Sequence, residues 1–103
     1  MIVEERIYTM APGTIPAMLE TYEREGLAIH TRILGNLIGY FVSDIGDLNL
    51  LVHLWGFKDL QDRAARRAEL WSNPEWLAFT AKIPLPVKMV NRILLPTRFS
   101  PIR

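Results

Sequence analysis

The 103-residue chain contains no cysteine, so disulfides and thiolate chemistry are excluded. It also lacks an excess of charge of either sign: 12 Lys and Arg face 11 Asp and Glu, for a formal net charge of +1. That balance gives no broad positive field for a phosphate backbone and argues against a nucleic-acid partner. No apolar run approaches the ~20 residues of a membrane span. The opening MIVEERIYTM is acidic and strand-like, unlike a secretory or transit leader, so a cytoplasmic location is expected. Only two histidines are present, with no His-x-x-x-His and no carboxylate-rich spacing, which argues against a metal site. There is no Gly-rich phosphate loop and no nucleophile motif, and no cofactor is expected.

What the chain does have is apolar residues, 50% of the total. At this length one domain, residues 1–103, is expected, with no room for a second core. Much of the apolar surface of so small a domain cannot be buried internally, and a subunit interface is its ordinary destination.

The densest apolar stretch runs from Leu34 to Phe57 and reads as a β-hairpin, with the polar break Ser43-Asp44-Ile45-Gly46-Asp47 between its arms. A turn centred on Gly46-Asp47 sets Tyr40 opposite His53, Val42 opposite Leu51 and Asp44 opposite Asn49. Tyr40, His53 and Trp55 then share one face. Ile2–Met10 alternates as a first strand, with Ile2, Glu4, Arg6, Tyr8 and Met10 on one side. Thr14 as N-cap and Pro16 open a helix that passes Gly26, a weak point or kink, to about Leu34, and Gly35 is its C-cap. Asp59 caps a second helix, with Asp62 at the capping-box position. Leu60, Ala64, Ala68 and Trp71 trace one face of that helix, and Arg63, Arg66 and Arg67 read as a solvated face. Asn73-Pro74 starts a short helix through Trp76, Phe79 and Ile83, and Pro84 and Pro86 end it. Asn91–Pro96 is the last strand and 97–103 a tail.

The order β-α-β-β-α-β predicts an α+β fold of the ferredoxin-like split-βαβ type, a four-stranded antiparallel sheet with the first and third strands in the middle. Both helices then cover one face of the sheet. The hairpin, however, is apolar on both faces: Ile38, Val42 and Leu51 on one, Leu37, Phe41, Val52 and Leu54 on the other. A sheet with one wet face alternates apolar with polar residues. A second copy packed sheet to sheet covers the other face, which predicts a homodimer with a barrel-like centre.

In order along the chain, Glu4, Arg6, Tyr8-Thr9, Pro12-Gly13, Tyr22-Glu23, Gly26, the block Leu34–Phe41, Leu48-Asn49, Val52–Trp55, Arg63, Arg67-Ala68, Asn73–Trp76, Asn91–Leu94 and Phe99–Pro101 resemble the NIPSNAP family of dimeric α+β-barrel proteins. The resemblance covers nearly the whole chain. It implies a ferredoxin-like subunit that dimerises through its sheet, and it brings no established activity with it. Related barrel folds include cofactor-independent monooxygenases, haem-degrading enzymes and isomerases, a kinship of fold alone.

His53 is the foremost candidate for chemistry. In an apolar strand it is either a general base titrating near neutrality or a neutral core histidine bonded to backbone or to Tyr40. Tyr40 and Trp55 either line an apolar ligand pocket beside it or pack as core. Glu4, Arg6 and Tyr8 share a strand face where they bind an anionic substrate or form a structural ion pair, and Arg92 on the neighbouring last strand can join either arrangement. Asn36, Asn49 and Asn91 are expected to bond backbone at turns, and His30 to face solvent or the helix terminus. Three functions follow: a homodimer holding a small apolar or aromatic molecule between helices and sheet, a cofactor-independent monooxygenase or isomerase with His53 as base, or a structural interaction module.

Overall fold

The structure, a computed structural model, describes residues 1–103. β1 (Ile2–Thr9) is followed by α1 (Ile15–Thr21), a π-helical turn (Tyr22–Gly26) and α2 (Leu27–Leu34), which run on as one helix. Then come β2 (Asn36–Val42), β3 (Leu50–Phe57), α3 (Leu60–Leu70), α4 (Pro74–Thr80) and β4 (Lys88–Leu94). The strands form one antiparallel sheet in the order β2-β3-β1-β4. This is the α+β, ferredoxin-like arrangement, with the first and third strands central as expected.

The expected hairpin register holds: Tyr40 lies opposite His53 and Val42 opposite Leu51. Two details differ. Pairing stops at Val42, and Asp44 and Asn49 fall in a longer loop rather than opposite each other. Gly46 and Asn49 take positive φ of 108° and 63° there, and Ser43 Oγ donates to the Asp47 carbonyl at 2.6 Å. At the other end the register shifts between Leu37 and Gly39, a bulge at Ile38. One extra residue reverses the facing of everything beyond it. Leu37 therefore sits opposite Trp55 and packs on the core, not on the outer face with Phe41. β4 starts at Lys88 rather than Asn91, because pairing begins once the chain clears Pro86: Val87 N–H donates to the Thr9 carbonyl at 2.8 Å.

The helix caps follow the expected chemistry. Asp59 Oδ1 accepts from Asp62 N–H and Asn73 Oδ1 from Trp76 N–H. Gly35 ends α2 at φ 92°. Thr14 differs, since its hydroxyl donates back to the Ala11 carbonyl instead of capping α1. Gly26 marks the π turn for a packing reason. A Cβ there would stand 2.7 Å from the Phe79 ring, so only glycine lets α4 lie against the helix at this point.

The inward face of α3 is not the expected one. Leu60 and Trp71 are exposed, as are Ala64 and Ala68, and the side toward the sheet carries Arg63, Arg67 and Leu70. Apolar periodicity misleads here because the sheet beneath presents a buried carboxylate, Glu4, which draws arginine inward.

Candidate functional site

β3 supplies the floor of the site. Leu51, His53 and Trp55 alternate onto the helix-covered face and each is at most 1% exposed. The Trp55 indole Nε1–H donates to His53 Nδ1 at 2.7 Å. An indole nitrogen only donates, so Nδ1 must accept, and the proton of the neutral imidazole is on Nε2. That Nε2–H is buried and has no acceptor among the protein's own atoms. Burial, reinforced by the charge of Arg6, lowers the His53 pKa to about 3. The ring is held between Tyr40, stacked on it at 4.6 Å and 10°, and Tyr8, edge-on at 4.9 Å.

Beside this floor lies a cavity of about 220 Å³ between the helices and the sheet. Its polar lining is Arg6, Tyr8, Tyr22, His30, Tyr40, His53, Arg67 and Thr80. Its apolar walls come from Met18, Leu70, Trp76, Phe79 and Ile83, with Leu85 and Met89 beyond α4. The lining residues Trp71 and Leu85 are 48% and 80% exposed and mark the mouth. A cavity of ~150 Å³ lined by apolar groups already takes up benzene, so this one has room for one or two fused rings. It falls below the ~300 Å³ at which drug-sized pockets begin.

His30 was expected at the surface and is buried. Its Nδ1 bonds the Tyr22 hydroxyl at 2.8 Å, and its ring lies 4.4 Å from Trp76 and 4.3 Å from Trp55. Burial, and then the neighbouring His53, lowers its pKa to about 3. Tyr22 and Tyr40 are pushed up by burial and remain phenols. The Trp76 indole Nε1–H is a second buried donor without an acceptor. Each such orphan costs about 1–3 kcal/mol relative to a satisfied group, an unusual pair to find around one cavity.

Glu4 forms a separate network. It accepts from Arg63 Nε and Nη2 at 3.1 and 2.7 Å, Arg6 Nη1 at 3.0 Å and Asn91 Nδ2 at 2.8 Å. Burial alone would raise its pKa, but the hydrogen bonds from Arg63 and Asn91 and the charges of Arg6 and Arg63 hold it at about 2. Arg6 Nε also donates to the Tyr8 hydroxyl at 2.8 Å, so Arg6 links this network to the cavity.

Of the expected site residues, the fold therefore brings Arg6, Tyr8, Tyr40 and His53 to one cavity. Trp55 lies beneath the site, bonded to His53, and does not line the cavity. Glu4 lies behind Arg6. Arg92 is a correction: alternation turns it to the opposite face, where it pairs with Glu5 at 3.0 Å, and Asn91 takes the place beside Glu4 rather than bonding a turn. Arg67, Trp76, Tyr22, His30 and Phe79 were not anticipated. The Tyr22-Glu23, Arg67-Ala68 and Asn73–Trp76 blocks of the resemblance contained three of them. No group of His, Asp and Glu is clustered in a way that could hold a metal ion.

The NIPSNAP family profile matches residues 3–101. The Drosophila melanogaster protein NipSnap is 40% identical over 97% of this chain. The chain spans about a third of the length of such curated relatives, 36% in that case. A NIPSNAP-like domain protein from Burkholderia xenovorans is 55% identical, with TM-score 0.94 over 97% of this chain and 88% of that one. A NIPSNAP family protein from Agrobacterium tumefaciens is 50% identical, with TM-score 0.96 over 99% and 98%. An antibiotic biosynthesis monooxygenase shares the fold alone, at TM-score 0.65 and 16% identity over 94% of this chain and 99% of that one. With the profile covering nearly every residue and the ferredoxin-like sheet and helices that the resemblance implied, the chain belongs to the NIPSNAP family.

Proposed function

We propose that the protein is a homodimer whose subunits each hold a small apolar or aromatic molecule in the cavity between helices and sheet. The observation that carries the ligand is the pair of orphan donors, His53 Nε2–H and Trp76 Nε1–H, on residues that line a largely apolar and aromatic cavity. Solid cores bury few such groups, and seldom two around one cavity. The dimer rests on the uncovered sheet face, where Phe41, Val90 and Leu94 are exposed beside half-buried Ile7, Val52 and Leu54.

Binding is favoured over catalysis by His53. Both of its nitrogens are committed, Nδ1 to Trp55 and Nε2 to its proton, which leaves no lone pair for a general base. The enzyme reading retains only the fold likeness to a monooxygenase. An interaction module would not need the cavity.

Native mass spectrometry after incubation with naphthalene-2-methanol tests both parts. Two chains with up to two bound aromatic molecules are expected. A monomer mass at micromolar concentration overturns the assembly, and a dimer that takes up no aromatic overturns the cavity reading.

A further inference from the structure

The groups that line this cavity are unequal in hydrogen-bond type. Arg67, on the inward side of α3, is half-buried and lines it, yet its guanidinium makes no ion pair and no hydrogen bond within the chain. The one buried carboxylate nearby, Glu4, is saturated by Arg6, Arg63 and Asn91. Two guanidinium groups and an amide thus take up this carboxylate, and Arg67 is left without one. Arg67 lines the same cavity as His30 and His53, and its charge disfavours protonation of both. The unmatched groups of fixed type are therefore donors, the Arg67 guanidinium, His53 Nε2–H and Trp76 Nε1–H, while the Tyr40 hydroxyl on the same lining can donate or accept. Burial lowers the Arg67 pKa and the charge of Arg6 lowers it further, the response of a cation lacking its counter-ion.

A neutral hydrocarbon would leave this set unmet. An anion with acceptor oxygens would meet it, and guanidinium recognises the planar carboxylate well. We propose that the cavity takes an apolar or aromatic acid, its carboxylate received by Arg67 and His53 Nε2–H and its body lying among Trp76, Phe79, Met18 and Ile83. This rests on the cavity reading above and adds the charge of the ligand to it. His53 then acts as a neutral donor that orients the acid.

Calorimetric titration with two probes of one shape, 2-naphthoate and naphthalene-2-methanol, tests it on the intact protein. Charge-assisted hydrogen bonds predict that the acid binds about ten- to hundredfold more tightly than the alcohol. Arg67→Met keeps the apolar stem and removes the charge, so it should bring the acid down to the level of the alcohol while weakening the alcohol far less. Arg67→Lys should retain a large part of the preference. Equal binding of both probes to the unaltered protein, or a preference that survives Arg67→Met, overturns the acid assignment while leaving the cavity reading intact. Failure of both probes to bind overturns both. Thermal unfolding of each variant, unchanged within a few degrees, shows that loss of binding is not loss of fold.

Discussion

His53 and His30 carry a consequence for stability that follows from burial alone. Both have pKa values lowered from 6.5 to about 3. The unfolded chain binds these protons near 6.5 and the folded chain does not until about pH 3. Their contribution is therefore complete above pH 6.5 and is lost as pH falls toward 3. Between pH 7.5 and 5 the two together should remove about 4 kcal/mol of unfolding free energy, close to 2 for each. Denaturant titrations at the two values check this. Glu4, lowered from 4.5 to about 2, adds its own loss only below 4.5, so the steep part of the profile belongs to the histidines. Nitrogen NMR gives the same answer by site: His53 should keep a protonated Nε2 and show no titration between pH 5 and 8. A shift of that resonance through pH 6–7 would restore it as a base. At this scale the sequence was informative about position and poor about partners. Tyr40 over His53 followed from turn and alternation. That Trp55 would fix the tautomer, that Tyr22 would bury His30, and that Arg67 would remain unmatched depends on side chains brought together from distant elements.

Among the elements, the first helix shows how a local rule can hide a packing rule. Gly26 read as a flaw in helical propensity. In the fold it is the point where Phe79 of α4 meets the π turn, and the same Phe79 forms a wall of the cavity. Gly26→Ala should therefore destabilise, although alanine is the better helix former. A Cβ 2.7 Å from a ring that is 3% exposed forces the core to shift, at about 1–3 kcal/mol, and lowers Tm by roughly 4–8 °C per kcal/mol. A Tm at or above that of the parent would mean that propensity, not the Phe79 contact, governs the position. The caps at Asp59, Asn73 and Gly35 were legible because they are short-range chemistry. The bulge at Ile38 was not, because nothing local distinguishes Leu37 inside from Leu37 outside. The inward face of α3 was misread because its partner is a carboxylate on the sheet and not a hydrophobic core.

For the whole molecule the deciding fact is how little of its apolar content the chain buries. Half of its residues are hydrophobic, yet only 20 of 103 are buried. The extents are 40 × 36 × 21 Å, and the radius of gyration of 14.1 Å exceeds the about 13 Å expected of a compact chain this long. The helices cover one face of the sheet and leave Ile7, Val52, Leu54 and Phe41 on the other. Two copies joined on that face would remove it from water, as the apolar count of the hairpin implies. The Arg92–Glu5 pair on the same face is partly exposed and contributes about 0–1 kcal/mol to the lone chain. Val52→Asp should split the proposed dimer, because an unpaired carboxylate on that face would cost several kcal/mol, at least a hundredfold in the dissociation constant. Sedimentation velocity at 10–100 µM (about the range in which a standard interface is saturated) should then show a folded monomer. Persistence of the dimer would move the interface elsewhere. No helix is long and apolar enough to cross a membrane.

The most direct test of a ligand cavity over His53 is an NMR titration with naphthalene-2-methanol, following the ring protons of His53, Tyr40 and Trp76 against the methyl groups of Val52 and Leu54. Saturable shifts at the three rings, with the methyl groups of the sheet's outer face still, are the predicted result. Shifts confined to the outer face, or none at the three rings at millimolar probe, would contradict it.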